Sequence, residues 1–290
     1  MNQRIFAWMS LFALVASLGW AQEKSEKKAN ELVASLQYQH GKIVLHGGLA
    51  TLNIPQNFAF LDEKGANTVL ADLWGNPPDK SVLGLIVPKD FNPLEGQAWV
   101  VAISYDESGY VSDTDADKID YKKLLSEMQT ESVEANKARA EAGYPPVQLV
   151  GWAATPHYDA ATHKLYWAKE LEFGEDKEHT LNYNIRALGR RGVLVLNAIA
   201  GMNQLPEIEK AMPEVLSMVE FQEGHRYVDF DPSIDKAAGY GLAALVAGGV
   251  LAKTGFFKGL LIAILAGKKF IIGGAIALFA MISRFFKKKE

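Results

Sequence analysis

The chain has 290 residues, a formal net charge of −4 and no cysteine. Its charge is unevenly distributed. The segment from Gln22 to Lys236 carries 21 basic and 33 acidic residues, whereas residues 237–290 carry eight basic residues and one acidic residue. An acidic central segment argues against nucleic acid as a partner, because such surfaces need Lys and Arg to replace condensed counterions. The absence of cysteine excludes disulfides, thiolate catalysis and Cys-ligated zinc.

Residues 1–21 have the pattern of a secretory signal peptide. Arg4 supplies a positive charge, Ile5–Leu18 is an apolar run, and Gly19 and Ala21 are the small residues expected before a cleavage site. The alternative is an uncleaved N-terminal anchor, for which this apolar run is short. We therefore expect residues 22–236 to form an exported domain.

Residues 237–290 predict a membrane anchor with one or two spanning helices and a basic tail. Two uncharged runs, Ala237–Ala252 and Phe270–Ser283, contain most of its apolar side chains, and its single acidic residue is the terminal Glu290. A helix needs about 20 apolar residues to cross a bilayer, so the first run requires support from its flanking residues. The alternative is a buried pair of core helices. The lipid bilayer is thus one expected partner.

The central segment predicts an α+β domain with a mostly antiparallel sheet flanked by helices. Short apolar or alternating runs predict strands at Lys42–His46, Ala50–Ile54, Val82–Val87, Trp99–Tyr105, Val147–Ala153 and Val193–Ile199. Helical spacing of apolar residues predicts helices at Ala66–Trp74, Lys118–Ala142 and Leu205–Val219. The order of these elements resembles the Mog1/PsbP-type sandwich.

A hairpin and a candidate binding surface follow from two alternating runs, Leu165–Phe173 and Leu181–Ala187. If Phe173 pairs with His179, one side of the hairpin is polar. The side chains that share this side are Tyr166, Glu170, Asn182, Asn184 and Arg186. They form a candidate binding surface, because Asn and Arg are unusual in strands without a role. The alternative is an ordinary hydrated sheet face or a set of polar contacts beneath a helix.

Aromatic and acidic residues supply further candidates. Trp74, Trp152 and Tyr166 are candidate contact residues for a protein partner, because aromatic side chains concentrate at interfaces. Core packing is the alternative for each. Asp113, Asp115 and Asp117 alternate in a turn, as the oxygen ligands of a hard cation do, but the glycine and glutamate of a calcium-binding EF-hand loop are missing. The alternative is that these aspartates cap a helix.

The sequence contains no nucleophile elbow, phosphate-binding loop, dinucleotide fingerprint or zinc-protease helix. We therefore predict no cofactor and no enzyme of those classes. A triad assembled in space remains open, because triads are defined by geometry rather than by order in the chain. A metal-dependent or other hydrolase acting on an envelope substrate is the alternative function. It would use residues from the set Asp113, Asp115, His157, Asp159 and His163, although the histidines also suit a solvated loop.

Seven runs taken together resemble a known family, DUF2167, whose members are bacterial membrane-anchored proteins of unknown function. The runs are Leu73–Pro77, Gly109–Tyr121, Gly151–Ala153, Leu165–Lys169, Leu181–Asn184, Leu188–Gly192 and Tyr240–Leu245. The resemblance implies a protein of the bacterial inner membrane with its main domain in the periplasm. It implies no catalytic residues. Together with the missing catalytic motifs, it favours a non-enzymatic envelope protein that binds a ligand or an envelope protein partner.

Overall fold

A computed structural model describes residues 26–76, 78–141, 145–174 and 178–248. The predicted signal peptide and residues 249–290 of the predicted anchor lie outside the described residues. Within the described ranges, no helix combines the length and apolar character needed to cross a membrane.

The described residues contain twelve strands and five α-helices. In chain order the strands are β1 (Gly41–Leu45), β2 (Ala50–Ile54), β3 (Phe58–Asp62), β4 (Val82–Pro88), β5 (Val100–Asp106), β6 (Tyr110–Ser112), β7 (Val147–Asp159), β8 (Lys164–Phe173), β9 (Thr180–Leu188), β10 (Val193–Gly201), β11 (Val219–Phe221) and β12 (Ala237–Gly241). The helices are α1 (residues 26–34), α2 (Glu63–Asn67), α3 (Tyr121–Glu141), α4 (Leu205–Met218) and α5 (Leu242–Ala247). A π-helical turn, Thr68–Leu73, continues α2.

The main sheet has seven strands in the order β3-β4-β5-β10-β9-β8-β7, and every neighbouring pair is antiparallel. A second sheet contains β1, β2 and β11, and β6 pairs with β12 in parallel. These features confirm the α+β class with a mostly antiparallel sheet.

Three apolar clusters bury both faces of the main sheet. On one face, residues of β5, β9 and β10 pack with α4 and the small β1-β2-β11 sheet. On the opposite face, α1, α2 and the π-helical turn cover the end formed by β3, β4 and β5. The other end of that face is covered by α3, α5, β6 and β12. Because both faces are covered, β10 is buried at every position except its last, as its continuous apolar sequence predicts.

Most of the predicted elements are confirmed within a few residues. The strands β3, β6, β11 and β12 were not predicted. Three residues each in β6 and β11 are too few for an alternating pattern. Gly and Ala dominate β12, and both residues are poor strand formers. These strands depend on partners that are remote in the sequence.

The predicted register of the β8–β9 hairpin, in which Phe173 pairs with His179, is wrong by one residue. Tyr166 pairs with Ile185 rather than with Arg186, and Glu170 pairs with Leu181 rather than with Asn182. Since side chains alternate between the two faces of a strand, a slip of one residue moves half of the predicted set to the opposite face. The five side chains of the candidate binding surface therefore do not share a side.

The start of the predicted membrane anchor lies within the folded domain. Residues 237–241 form β12, which pairs with β6, and the following residues form α5. The side chains of Leu242, Leu245 and Val246 are at most 3 % exposed and belong to the same cluster as Trp167. The sequence predicted that the domain ends at residue 236, whereas the packing of apolar side chains on the domain continues through α5.

Helix α3 covers part of the free edge of the main sheet. Asn136 accepts a hydrogen bond from the Val147 backbone N–H (2.8 Å) and donates one to the Val147 carbonyl (2.9 Å). Ser132 donates to the same carbonyl (2.8 Å), and Gln129 donates to the carbonyls of Leu149 and Val150. These side chains take the place of a neighbouring strand. The start of β7 therefore has few free backbone N–H and carbonyl groups for pairing with a strand of another chain.

Replacing Asn136 with alanine should lower the free energy of unfolding by about 1–2 kcal/mol, because the Val147 N–H loses its acceptor and the Val147 carbonyl keeps only the bond from Ser132. Chemical denaturation of the full-length protein in a non-ionic detergent would measure this change. The matched control is Glu131→Ala on the exposed side of the same helix, for which we expect a change within about 0.5 kcal/mol. Equal effects of both substitutions would contradict the role of α3 at the sheet edge.

Candidate functional site

Asn182, Asn184 and Arg186 lie on the face of β9 that bears Trp167 and Lys169 of β8. Together with Asn197 of β10 they form a buried polar network, in which each residue is 3–6 % exposed. Asn184 donates to Asn182 Oδ1 (2.7 Å), and Arg186 donates to Asn197 Oδ1 (3.0 Å) and to the Ile185 carbonyl (2.8 Å). These side chains are inside the protein, so they do not form a surface for a large partner.

Two cations and one carboxylate set the electrostatics of this region. The Arg186 guanidinium lies 5.0 Å from the centre of the Trp167 ring, and the Lys169 ammonium lies 5.8 Å from it. Lys169 also donates to the Val246 carbonyl near the end of α5 (3.2 Å). Burial, followed by the nearby charge of Arg186, lowers the pKa of Lys169 to about 7. Burial raises the pKa of Asp106, although Ser108 and the charge of Arg186 act in the opposite direction.

The lowered pKa of Lys169 predicts a pH dependence of stability. Between about pH 7 and the ordinary value of 10.5, the unfolded chain binds the proton that the folded protein has released. Stability contributed by this residue should therefore rise with pH across that range. We expect Lys169→Met to increase the free energy of unfolding by about 1 kcal/mol or more at pH 6, because the charged form is the one that burial disfavours.

The measurement is chemical denaturation of the wild-type protein and of Lys169→Met at several pH values. The difference between their free energies of unfolding isolates the contribution of Lys169. This difference should diminish as the pH rises from 6 to about 9. A difference that is constant over the range would contradict the effect of burial on Lys169.

The remaining predicted contact residues are separated in the structure. Trp74 is 5 % exposed and donates from Nε1 to the Pro93 carbonyl (2.8 Å), so it packs in the core. Trp152 is partly buried and donates to the Tyr121 carbonyl at the start of α3 (3.1 Å). The ring centroids of Tyr166 and His157 are 5.2 Å apart. Glu170 bonds to His179 Nδ1 at 2.6 Å. These residues do not form one surface.

The three aspartates of the proposed cation site have different roles. Asp113 accepts a hydrogen bond from the Tyr158 hydroxyl (2.7 Å). Asp115 accepts from the backbone N–H groups of Leu242 (3.0 Å) and Ala243 (3.2 Å), and so caps α5. Asp117 is exposed. Among the described residues, no group of three or more His, Asp or Glu is placed to hold a metal ion. Asp115 therefore caps a helix, as the alternative proposed, but that helix is α5, which is remote in the sequence.

Asp115→Ala should lower the free energy of unfolding by about 0.5–2 kcal/mol, because two N–H groups at the start of α5 lose their acceptor. Asp117→Ala is the matched control, and we expect it to have little effect. Urea denaturation would measure both. A rise in the thermal midpoint of the wild-type protein on adding calcium, abolished by both substitutions, would contradict this assignment and restore the cation site.

A polar cleft of about 660 Å³ lies over the outer face of the small sheet. Lys42, Thr51, Asn53 and Glu220 contribute to it from β1, β2 and β11. In the strand register, Lys42 pairs with Asn53 and Glu220 pairs with Thr51. These four side chains share a face, because residues directly opposite each other in neighbouring strands point to the same side. The intervening residues of β1 and β2 point into the core.

One wall of the cleft is the turn between β7 and β8, which contains His163. Another wall is the segment after β11, to which Arg226 and Tyr227 belong. The His163 Nδ1 atom lies 3.0 Å from the Tyr158 hydroxyl, and the ring of His163 packs against Tyr227 with 4.1 Å between centroids. The Tyr158 hydroxyl in turn donates to Asp113. The structure therefore links Asp113 and His163 from the predicted set through a tyrosine that the sequence did not single out.

Nothing in the sequence pointed to Lys42, Asn53, Glu220 or Arg226 as parts of one site. They come from separate segments, and their meeting depends on the pairing of β2 with the three-residue strand β11. The alternation in β2, with polar Thr51 and Asn53 between apolar residues, is a signal that could have indicated a polar outer face.

Comparison with known families identifies the chain. A family described as "Protein of unknown function (DUF2167)" matches residues 37–279, from before β1 to well past α5. The chain belongs to the DUF2167 family. This confirms the resemblance found in the sequence and places the cleft within the region that defines the family. No curated protein sequence matches the chain significantly.

Several solved structures are similar to parts of this chain at low sequence identity. Cyanobacterial PsbP from Synechocystis sp. PCC 6803 is 13 % identical, with a TM-score of 0.33, over 66 % of this chain and 94 % of that chain. The Ran-binding protein Mog1p of Saccharomyces cerevisiae is 10 % identical, with a TM-score of 0.34, over 64 % and 96 %.

LpqN of Mycobacterium tuberculosis, a protein involved in cell envelope biogenesis, is 14 % identical, with a TM-score of 0.31, over 65 % and 92 %. TM-scores this low carry no argument about function, and the Mog1/PsbP-type sandwich stays a prediction.

Proposed function

We propose that this DUF2167 protein is a binding protein of the bacterial cell envelope, and that its binding site is the cleft over the outer face of the small sheet. The observation that carries the proposal is the cleft itself. It is about 660 Å³ in volume, and it is lined by polar and charged side chains from four parts of the chain. Its volume lies within the range of about 300–1,000 Å³ that is usual for small-ligand sites.

The lining suits a polar ligand or a polar segment of a partner protein. Asn53, Thr162, Glu220 and Glu223 are exposed, so their hydrogen-bonding groups can be offered to a ligand without disrupting the core. Val228 is also part of the lining and is 71 % exposed.

The location that we propose is the periplasmic side of the inner membrane. The secretory pattern of residues 1–21 and the apolar run Phe270–Ser283 support it. Helix α5 packs on the domain through Leu242, Leu245 and Val246, and residue 249 follows almost directly. On this proposal, the domain lies close to the bilayer, because the first apolar run of the predicted anchor begins within the packed segment that contains α5.

The test is native mass spectrometry of the full-length protein, purified from its own membrane in a mild detergent. We expect a reproducible bound mass in addition to the chain. Asn53→Trp should abolish that mass, because a large side chain on the floor of the cleft occupies the space of the ligand. Asn53 is exposed on β2, so the substitution leaves the core intact.

Val133→Trp is the matched control, because Val133 is 62 % exposed on α3 and is not part of the cleft lining. This variant should retain the bound mass. A bound mass that survives Asn53→Trp, or a wild-type chain that is reproducibly free of any adduct, would contradict the proposal.

A further inference from the structure

We infer that the cleft binds its ligand through a cationic amino group, which donates hydrogen bonds to Nε2 of a neutral His163 and to oxygen atoms beside it. Asp113 and Tyr158 are positioning residues that keep the imidazole hydrogen on Nδ1. This inference rests on the proposed binding function and specifies the chemistry of the ligand. Two features of the described residues support it, namely the direction of the hydrogen bonds in the cleft walls and the charges around the cleft.

The hydrogen bonds behind His163 determine what its ring offers to a ligand. Tyr158 donates its only hydroxyl hydrogen to Asp113 Oδ2 at 2.7 Å. Burial, followed by the bond to Asp113, raises the pKa of Tyr158, so the hydroxyl keeps this hydrogen. The Tyr158 oxygen lies 3.0 Å from His163 Nδ1 and can only accept a hydrogen bond there. Nδ1 therefore carries the hydrogen, and Nε2 of the neutral ring is an acceptor. Nε2 has no partner among the described residues and is not fully buried, so a ligand in the cleft can reach it.

The neighbouring groups in the cleft walls direct their donors to the protein itself. Thr162 donates its only hydroxyl hydrogen to Asp159 Oδ2 at 2.6 Å, which leaves acceptor lone pairs on that oxygen. Arg226 donates from Nε and Nη2 to the carboxylate of Asp229 at 3.0 and 2.9 Å. Lys164 donates to two backbone carbonyls at the junction of α4 and β11. These walls therefore offer the ligand mainly acceptors, and a group that donates hydrogen bonds is complementary to them.

The charges around the cleft favour a donor that is cationic rather than neutral. The lining residues and the carboxylates that contact them include three positive and five negative side chains. These are Lys42, Lys164 and Arg226 against Asp113, Asp159, Glu220, Glu223 and Asp229. Two of the cations are already held by acceptors of the protein, whereas the carboxylates of Glu220 and Glu223 are exposed. A local excess of negative charge attracts an ammonium group, and a neutral hydroxyl group gains nothing from it.

The experiment is NMR of the full-length protein labelled with nitrogen-15 at histidine, in a non-ionic detergent at about pH 8, where the imidazole of an ordinary histidine is mostly neutral. Correlations between the ring nitrogens and the carbon-bound ring hydrogens distinguish the two neutral tautomers. The chain has six histidines, and the signals missing from His163→Asn identify His163. Asparagine tolerates the positive φ of this residue (51°), so the variant should fold.

Three small probes separate the effect of charge from that of hydrogen-bond donation. Methylammonium carries a positive charge and N–H donors, tetramethylammonium carries the charge without an N–H, and methanol carries an O–H donor without the charge. Each is added at constant ionic strength with chloride as the anion. We expect His163 to carry its hydrogen on Nδ1 and its Nε2 signal to shift saturably with methylammonium. The other two probes should need concentrations at least about threefold higher for the same shift, because each lacks one of the two interactions.

Tyr158→Phe tests the positioning role and retains the aromatic ring. Without the hydroxyl oxygen, the Nδ1 hydrogen of His163 loses its acceptor, so the fraction of His163 with its hydrogen on Nδ1 should fall. The methylammonium concentration that gives half of the shift should rise about three- to tenfold, the factor expected for the loss of one hydrogen bond. Tyr38→Phe is the matched control, because Tyr38 is 38 % exposed and is not part of the cleft lining. It should leave the tautomer and the shift unchanged.

The inference is overturned if His163 of the wild-type protein carries a hydrogen on Nε2 at about pH 8, or if methylammonium leaves its signal unchanged. It is also overturned if tetramethylammonium or methanol acts as strongly as methylammonium, or if Tyr158→Phe keeps the wild-type tautomer. Each of these results leaves the proposed binding function standing, provided that Asn53→Trp still abolishes the bound mass. A wild-type chain without a bound mass contradicts the proposed binding function, whatever the three probes do.

Discussion

The guanidinium of Arg186, buried at the centre of the main sheet, is the constraint on which much of this structure depends. Removing a charge from water costs several kcal/mol, and good hydrogen bonds must offset that cost. Asn184, Asn197 and the Ile185 carbonyl supply these bonds, and the face of Trp167 adds a cation–π contact. Burial lowers the pKa of Arg186 to about 9, and the negative charge of Asp106 acts in the opposite direction.

This constraint also determines the register of the central strands. A slip of one residue in β9 would turn Arg186, Asn184 and Asn182 towards the apolar cluster formed with α4 and the small sheet. The observed register instead places them between the two apolar clusters of the opposite face. Helix α5 and strand β12 complete the cover at one end, where Lys169 binds the Val246 carbonyl. Residues 237–247 are therefore part of the fold.

The polar groups of this protein fall into two sets with different consequences. The network around Arg186 is enclosed and stabilises one arrangement of the sheet. The groups of the cleft are open to solvent and come from elements that meet only through the small sheet and the β7–β8 turn. His163 belongs to the second set, because it lines the cleft. This division is the reason for placing the binding function at the cleft and not at the asparagine-rich strand.

The sequence by itself determined the α+β class, most of the main strands and the family. Hydrophobic periodicity and local turn signals are sufficient for such conclusions, because each depends on residues close together in the chain. The acidic character of residues 22–236 and the absence of cysteine also followed from composition alone.

Only the tertiary structure decided the register of β8 against β9, the burial of Asn182, Asn184 and Arg186, and the packing of α5. A period of two is satisfied equally well by two registers that differ by one residue, and only the covering layers select between them. The cleft required the same information. Lys42, Asn53, Glu220 and His163 lie far apart in the sequence, and they meet because β11 pairs with β2 beside the β7–β8 turn. Local patterns cannot encode contacts between segments separated by so many residues, so the candidate site could be found only after the chain was folded.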